Sequence, residues 1–308
     1  MSIKVIFGQM LVLFFMMITG FVCYKKHFVD DNGYKSISSI IVNILNPLLI
    51  VSGILNKKVA YSGKVIGENI LLVGILFPIL IMVSLIYVKL MKIPKKEALS
   101  YRLMLIFSNL GFMGIPLVSE VYGAKAIIFV AFYILGYNIL IYTYGIYLAS
   151  KDNEAVGAHF QWKKLLNPGI AACVIAIVLF VFKITVPKFV GSFVNYMGNA
   201  SVPFSMMAIG ISLANAKLKD VFMNVRLLLF AAAKMLIIPI ICILIMKNFA
   251  FDSEAFGIFA LMLSMPVGSI VTLIETEYGG KDSSISSSGI ALTTVFSMVT
   301  IPIVALFV

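Results

Sequence analysis

The sequence has few charged residues, and this scarcity excludes most classes of soluble protein. Of its 308 residues, 12% are charged and 61% are hydrophobic. A soluble domain usually carries about twice that charged fraction, so the chain has too little polar surface to cover a globule in water. The hydrophobic residues instead form long blocks, and blocks of about 18 or more apolar residues are typical of transmembrane helices.

Residue types that build catalytic and metal sites are also rare, with three cysteines and two histidines. Cys23, Cys173 and Cys242 lie far apart in apolar blocks without a CxxC pair, which indicates buried hydrophobic side chains rather than a disulfide or a metal site. His27 and His159 lie in loops and lack metal-ligand spacing. A phosphate-binding P-loop is absent, as is any cluster of His, Asp or Cys at one depth. These absences argue against an enzyme and predict no cofactor and no metal.

The formal net charge of +11 does not indicate a nucleic-acid partner. Lys and Arg lie almost entirely in short loops between apolar blocks, which is the distribution that sets membrane topology. Loops that follow odd-numbered blocks contain clearly more of these residues than the other loops. We therefore predict a multi-pass protein of the cell membrane, embedded in the lipid bilayer, with these loops in the cytoplasm and both termini outside.

The apolar blocks number ten, and we refer to them as spans 1 to 10. Their approximate limits are 5–24, 36–56, 65–91, 101–121, 124–149, 165–186, 192–215, 226–247, 255–277 and 283–307. The longest loop lies at the midpoint of the chain. The sequence therefore predicts an all-α membrane protein with ten transmembrane helices.

The two halves of the chain share a common frame at a constant shift of 156 residues. The coinciding residues are mostly polar, Gly or Pro: Asn43 with Asn199, Pro47 with Pro203, Ser108 with Ser264, Tyr122-Gly123 with Tyr278-Gly279, and Lys125 with Lys281. Because five helices is an odd number, the second copy must enter the membrane from the opposite side, as in many secondary transporters. We predict inverted five-helix repeats over residues 1–150 and 165–308, joined by a cytoplasmic midpoint loop over 151–164; coincidence in a low-diversity alphabet is the alternative.

Four spans are predicted to be interrupted by Pro, Gly or Asn near their centres. The interrupted segments are Asn46-Pro47 in span 2, Val202-Pro203 in span 7, residues 108–116 in span 4 and residues 264–269 in span 9. Proline removes a backbone donor, and the freed polar groups must face protein, water or a ligand rather than lipid. Spans 4 and 9 are repeat partners, so we predict that they form two crossed, broken helices whose half-helix N-termini point into the protein centre. Simple kinking is the alternative.

The stretch Asn109-Leu110-Gly111-Phe112-Met113-Gly114-Ile115-Pro116, the Tyr122-Gly123 pair and the segment from Pro203 to Gly210 resemble the auxin efflux carrier family. That family includes the plant PIN proteins and bacterial carriers of organic acids, and the resemblance covers essentially the whole chain. It implies a scaffold of spans 1, 2, 6 and 7 that often forms a homodimer, and a transport domain of spans 3–5 and 8–10. It also implies substrate contact near Asn109, Pro116 and Pro266. The plant members have a long midpoint loop that this chain lacks, so regulation through that loop is not expected.

Polar residues inside the spans are further candidates for the substrate site. Lys234 lies within span 8, where a cation is costly and usually faces the bundle interior; it supplies positive charge near the crossing, or it snorkels or caps a carbonyl freed by Pro239. Asn46 and Asn138 are buried amides that need partners, and ligand contact and helix–helix bonding are both open for them. The predicted substrate-binding residues are Asn46, Asn109, Gly111, Pro116, Asn138, Lys234, Ser264 and Pro266.

Acidic residues are absent from the middle of span 5, and Glu68, Glu120, Glu275 and Glu277 lie near span ends, where we interpret them as interfacial. A sodium or proton antiporter normally needs an intramembrane carboxylate near the crossing. We therefore predict a secondary transporter of small organic anions, such as malate, malonate or auxin-like acids, with an elevator or rocking mechanism. The alternative is a sodium- or proton-coupled carrier of the same architecture with a non-carboxylate substrate.

Overall fold

The computed structural model describes residues 3–55, 61–150, 167–215, 223–278 and 284–308, and the regular structure within these ranges is helical. The predicted midpoint loop lies outside them, as do Gly279 and Lys281 of the repeat comparison. The helices of the first half are α1 (Ile3–Lys25), α2 (Asp31–Ile40), α3 (Asn46–Ser52), α4 (Gly63–Leu90), α5 (Lys95–Ile106), α6 (Ile115–Tyr122), α7 (Ile127–Leu140) and α8 (Ile146–Ser150). Those of the second half are α9 (Pro168–Val181), α10 (Lys188–Asn215), α11 (Val225–Ala232), α12 (Ile238–Met246), α13 (Ser253–Leu263), α14 (Ile270–Glu277) and α15 (Ser284–Val304).

Seven helical segments of the described chain are long and apolar enough to cross a membrane. They are Phe7–Lys25, Asp31–Ser52, Gly63–Leu90, Ala124–Ser150, Lys188–Ala214, Val225–Met246 and Ser284–Phe307, which fall in predicted spans 1, 2, 3, 5, 7, 8 and 10. Predicted spans 4, 6 and 9 contain shorter apolar helices, and spans 4 and 9 are each divided by a non-helical break. The membrane-protein class is thereby confirmed, whereas the count of ten stays a prediction.

Three helices widen into a π-turn just before a proline. The π-turn Ile41–Leu45 precedes Pro47, the π-turn Leu110–Gly114 precedes Pro116, and the π-turn Ala233–Ile237 precedes Pro239. A proline cannot donate to the carbonyl four residues earlier, and its ring clashes with that carbonyl. A locally wider turn is one of the adjustments that satisfies the freed backbone groups in apolar surroundings. Each of these three π-turns accommodates the proline that follows it, whereas a further π-turn, Ile141–Gly145, precedes no proline.

The predicted interruption of span 7 at Pro203 is wrong, because α10 continues through this proline without a break. Glycines on both sides of it lie against neighbouring backbones. A Cβ atom at Gly210 would lie 1.9 Å from the carbonyl oxygen of Met17, and one at Gly198 would lie 2.9 Å from the Cα of Leu49. This close packing against α1 and α3 holds the two ends of α10 in line.

Two large buried apolar clusters fill most of the interior, and the breaks of spans 4 and 9 lie where these two meet. The first cluster is built largely from α4, α6, α7 and α13, and the second from α5, α11 and α14. The chain passes between the clusters from Phe107 to Leu110 in one break and from Met265 to Val267 in the other. Polar backbone groups of both breaks are thus held between two apolar cores.

Candidate functional site

The breaks in predicted spans 4 and 9 contact each other through backbone hydrogen bonds. The two bonds run from the amide of Asn109 to the carbonyl of Pro266 over 2.7 Å, and from the amide of Gly268 to the carbonyl of Phe107 over 3.0 Å. Between them, Ser108 and Val267 form a one-residue antiparallel bridge. Buried backbone groups need such partners, so each break satisfies part of the other. The structure therefore brings the two predicted breaks together.

Glycine at position 268 permits this close approach. A Cβ atom there would lie 2.9 Å from the carbonyl oxygen of Ser108 and 3.2 Å from the hydroxyl oxygen of Tyr137. Gly111 is less crowded. The nearest atom to a Cβ added there would be the Nδ2 atom of Asn46, at 3.8 Å. Gly268 is therefore required by the contact between the breaks, whereas Gly111 leaves open space beside them.

Asn109 caps the helical segment that follows the first break. Its Oδ1 atom accepts a hydrogen bond from the amide of Phe112 over 3.1 Å, which is the usual role of asparagine at a helix N-terminus. The side chain is 8% exposed. Its Nδ2 group has no hydrogen-bond partner in the described part of the chain, so a donor of this residue is available to a ligand.

Lys234 lies directly behind the first break and is 2% exposed. Its Nζ atom donates to the carbonyl of Leu105 over 3.1 Å and to the Oγ atom of Ser108 over 3.0 Å. Leu105 belongs to the last turn of α5, whose carbonyls have no helical partner, and a cation there opposes the negative end of the helix dipole. Lys234 thus neither snorkels nor caps a carbonyl of its own helix, and no described carboxylate pairs with it.

The second break is satisfied by neutral groups. The amide of Val267 donates to the Oγ1 atom of Thr293 in α15 over 3.1 Å. The hydroxyl of Ser264 returns to its own helix, where it donates to the carbonyl of Ala260 over 2.7 Å. The contacts that the structure describes at this break therefore contain no charged side chain.

A cavity of about 1070 Å³ adjoins the crossing of the two breaks. It extends outward to the start of α2 and to the start of α9. Amides and hydroxyls dominate its polar wall, and the described residues lining it include Asn43, Asn46, Asn109, Ser108, Ser269 and Thr272. Lys35, which is exposed near the start of α2, is the one charged residue among them. The cavity therefore joins the exterior to an uncharged, donor-rich wall.

A second cavity of about 370 Å³ touches the crossing from the side of α10 and α15. It shares Asn109, Phe112 and Ser269 with the larger cavity, and its one charged lining residue among those described is Asp31. Asp31 accepts a hydrogen bond from the hydroxyl of Tyr24 over 2.8 Å. The crossing is thus accessible from two adjoining spaces of different charge.

The predicted substrate-binding residues divide into two groups. Those that line the larger cavity are Asn46, Asn109, Gly111 and Asn138. The others do not line either cavity at the crossing: Pro116, Lys234, Ser264 and Pro266. The second group is packed behind the crossing, where its members shape the breaks instead of forming the cavity wall.

Asn46 and Asn138 line the cavity and also join separate helices. The Nδ2 group of Asn46 donates to the carbonyl of Gly111 over 3.4 Å, and its Oδ1 atom accepts a short hydrogen bond from Ser201 of α10. Asn138 accepts from the Nδ2 group of Asn167 over 3.3 Å. Both alternatives left open by the sequence, a cavity-lining role and helix–helix bonding, are therefore compatible at these amides.

Sequence reasoning missed many cavity-lining residues, among them Ser108, Ser269 and Tyr137 near the crossing. Ser108 stands next to Asn109 and coincides with Ser264 in the repeat frame, so the sequence contained a signal for it. Which of the two serines faces the cavity depends on how the breaks cross, and this was not available from the sequence.

Glu275, which the sequence places near the end of span 9, is buried within the protein. Its side chain is 0% exposed, and it accepts a short hydrogen bond from the hydroxyl of Ser286. The cause is the packing of the last turns of α14 against the start of α15. Glu120, in contrast, is exposed, while the side chain of Glu277 lies outside the described part of the structure.

Comparisons with known proteins identify the family. The model of a family described as membrane transport protein matches residues 5–161 and 154–305. An uncharacterized transporter of Methanothermobacter thermautotrophicus is 23% identical over 195 residues, which is 63% of this chain and 63% of the relative. An uncharacterized transporter of Methanocaldococcus jannaschii is 24% identical over 200 residues, which is 64% of each chain. Both alignments thus span less than two thirds of these relatives.

The family match covers nearly the whole chain, and it agrees with the resemblance to auxin efflux carriers and with the apolar helices of the described structure. The protein therefore belongs to the membrane transport protein family of the auxin efflux carriers, which is a family of transporters and not of enzymes, and it is a multi-pass membrane protein.

Proposed function

We propose that this chain is a secondary transporter that carries small organic anions, such as malate, malonate or auxin-like acids, across the cell membrane. One observation carries the proposal. The larger cavity reaches the crossing of the two breaks, its described lining contains no carboxylate, and the buried cation Lys234 lies behind its wall. An anion is the ligand that such a site favours over a cation.

The half-helix ends support the sign of the substrate charge. The π-turn and α6 begin after Asn109, and α14 begins after Ser269, so two helix N-termini with partial positive charge flank the cavity. The negative C-terminal end of α5 is countered by Lys234. The local field is therefore positive, which stabilises a carboxylate at the crossing.

Neutral donors at the same place supply the contacts. The Nδ2 group of Asn109 has no described partner, and Gly111 leaves space for a ligand to approach the backbone of the first break. The exposed Lys35 lies at the outer part of the cavity, where it attracts anions from solution. The proposed binding site therefore combines a cationic entrance with an uncharged end.

The proposed mechanism is alternating access, in which the cavity opens to one side of the membrane at a time. Ile50, Ile115 and Ile134 line its apolar part. Near them, a Cβ atom at Gly53 would lie 2.6 Å from the carbonyl oxygen of Ala124, so α3 and the turn before α7 are in close contact. Transport requires this contact to open while the present entrance closes, by an elevator or a rocking motion.

The architecture proposed for this motion is the ten-span inverted repeat, with residues 1–150 and 165–308 as the two copies and a cytoplasmic loop between them. Spans 1, 2, 6 and 7 form the scaffold and its homodimer contact, and spans 3–5 and 8–10 form the transport domain. Both termini then lie outside the cell. The hydrogen bond from Asn46 to Gly111 crosses the boundary between the two parts, so it must break and reform during transport.

Transport by purified protein in proteoliposomes tests the proposal. Labelled malonate, malate and indole-3-acetate are offered under a membrane potential, which changes the free energy of a monovalent anion by about 2.3 kcal/mol per 100 mV. We expect potential-dependent movement of at least one acid, its loss in Asn109→Ala, and its retention in Asn248→Ala, an exposed amide near the end of α12. Full transport by Asn109→Ala would contradict the proposed site.

Glu275 favours a second candidate, a sodium- or proton-coupled carrier of the same architecture with a non-carboxylate substrate. This carboxylate is fully buried in α14, the half-helix that starts at the crossing. Intramembrane carboxylates commonly couple transport to a cation. Stabilisation of the protein by sodium alone, without any acid, together with no response to organic acids, would favour this candidate over the first.

A further inference from the structure

We propose that the hydroxyl of Ser108 donates the hydrogen bond that recognises the carboxylate of the substrate, and that Lys234 acts on the substrate through Ser108 rather than by contact. This inference rests on the proposed function, since it assumes an organic anion in the larger cavity. It makes Ser108 a specificity-determining residue and Lys234 a positioning residue.

Ser108 is a residue of the cavity wall. It lies between α5 and the π-turn that follows, is 3% exposed, and lines the larger cavity. Its Oγ atom accepts a hydrogen bond from Lys234 over 3.0 Å. A serine hydroxyl has one donor hydrogen besides its acceptor sites, and no described group accepts from this one. A donor of Ser108 is therefore unused at the cavity wall.

Lys234 lies behind Ser108. It belongs to the π-turn Ala233–Ile237, and its Nζ atom donates to two acceptors, the carbonyl of Leu105 and the Oγ atom of Ser108. It does not line either cavity at the crossing. A buried cation without a carboxylate partner is costly, and the contact of Lys234 with Ser108 places it one residue behind the cavity wall. A carboxylate bound at that wall would supply a counter-charge.

Lys234 and Ser108 form a chain of hydrogen-bond donors that leads toward the cavity. Lys234 donates to the oxygen of Ser108, and this polarises the hydroxyl so that it donates more strongly to an anion. A neutral amide also offers a carbonyl acceptor, but a hydrogen bond to an anionic carboxylate is stronger because its acceptor is charged. The pair therefore favours acids over their neutral amides.

The second break provides an internal comparison. In the repeat frame, Ser264 coincides with Ser108, and Pro78 coincides with Lys234. Ser264 donates to its own helix and does not line either cavity at the crossing. Because the second break is satisfied without a lysine, a buried cation is not a requirement of this backbone geometry, which favours a ligand-directed role for Lys234.

The test compares acids with their amides on the purified full chain, by ligand-dependent thermal stabilisation. The probes are malonate against malonamide and indole-3-acetate against indole-3-acetamide. We expect Ser108→Ala and Lys234→Gln each to weaken acid binding about tenfold or more, as for loss of a hydrogen bond to a charged group, with a clearly smaller loss of amide binding. Ser108→Thr keeps a hydroxyl and should retain the acid preference. The matched controls are Ser84→Ala, a buried serine on α4, and Lys89→Met, an exposed lysine.

The double variant Ser108→Ala/Lys234→Gln separates action through Ser108 from independent action. Two residues of one hydrogen-bonded chain are not additive, so we expect the double variant to lose no more acid affinity than either single variant. Multiplied losses would overturn the relay, and so would an unchanged acid preference in Ser108→Ala. If Lys234→Gln does not fold, the pair Ser108→Ala and Ser108→Thr decides alone.

The same measurements separate this inference from the proposed function. A wild-type chain that shows no preference for the acid over the amide in either pair contradicts the proposed function itself. A wild-type chain that prefers the acid, with Ser108→Ala keeping that preference, leaves the proposed function in place and overturns the role of Ser108.

Discussion

The two breaks at the crossing use the same backbone device but satisfy it with different chemistry. In the first, an asparagine caps the following turn and a buried lysine binds the end of the preceding helix. In the second, a threonine hydroxyl accepts the free amide and a serine returns to its own helix. The second break is satisfied without any charged side chain among the described contacts, so this backbone contact alone does not demand the charge found at the first break.

This difference locates the proposed recognition chemistry. The first break contributes Ser108, Asn109 and Gly111 to the larger cavity, whereas the second contributes Gly268 and Ser269. The unpaired donors and the nearby cation thus lie at the first break. Two breaks that share a backbone contact can therefore differ in which of them takes part in binding.

The largest expected effect is that of Asn109→Asp. Aspartate caps a helix as well as asparagine, so the first break should keep its geometry, but a carboxylate at the cavity wall would repel an anion. We expect anion transport in proteoliposomes to fall by about two orders of magnitude or more, with apparent melting temperature nearly unchanged. Asn248→Asp is the control, and substantial transport by Asn109→Asp would mean that the first break does not bind the anion.

Substitution of Gly268 and of Gly111 by alanine should give the next largest effect, and the two variants compare the second break with the first. Gly268→Ala forces a Cβ atom to 2.9 Å from a backbone carbonyl, so we expect a loss of about 1–3 kcal/mol in stability. Gly111→Ala enters open space and should leave thermal stability nearly unchanged while reducing anion affinity. Equal melting temperatures for the two variants would show that the breaks are less tightly packed than described.

Thr293→Val tests the neutral solution at the second break. The replacement keeps the side-chain shape but leaves the buried amide of Val267 without its acceptor, which costs about 1–2 kcal/mol. Thr300→Val is the matched control, because that buried threonine donates only within its own helix, to Phe296. Thermal unfolding in detergent measures the stability of both variants. An equal loss of stability in Thr293→Val and Thr300→Val would contradict the role of Thr293 as the acceptor at the second break.

Ser264→Ala has the smallest expected effect. The lost hydrogen bond runs within one helix, so the change should cost about 0.5 kcal/mol. Acid and amide affinities should both stay as in the wild type, in contrast to Ser108→Ala. A change in acid preference here would mean that the second break also contributes to recognition.

The sequence predicted the parts of the fold that depend on local patterns. Long apolar blocks gave the long helices, and the Asn, Gly and Pro residues near 109 and 266 gave the two breaks, because each of these residues acts on its own backbone. The start of α2 was placed at residue 36 instead of Asp31, since its polar first turns do not form an apolar block. Asp30 caps that helix through the amide of Gly33.

Features that depend on distant contacts were not predictable in the same way. Pro203 stays inside a continuous helix because Gly198 and Gly210 pack against other helices. Glu275 is buried because Ser286 lies opposite it in another helix. The role of Lys234 was left open because its partners, Leu105 and Ser108, are far away in the sequence.

The most direct test of the central claim is a crystal structure of the full chain with a bound brominated acid, located by the anomalous signal of bromine. The acid is the brominated analogue of whichever acid stabilises the wild-type protein most. The account predicts one site in the larger cavity, with the carboxylate within hydrogen-bond distance of Ser108 and Asn109. A carboxylate held away from both residues, or bound only in the smaller cavity beside Asp31, would contradict it.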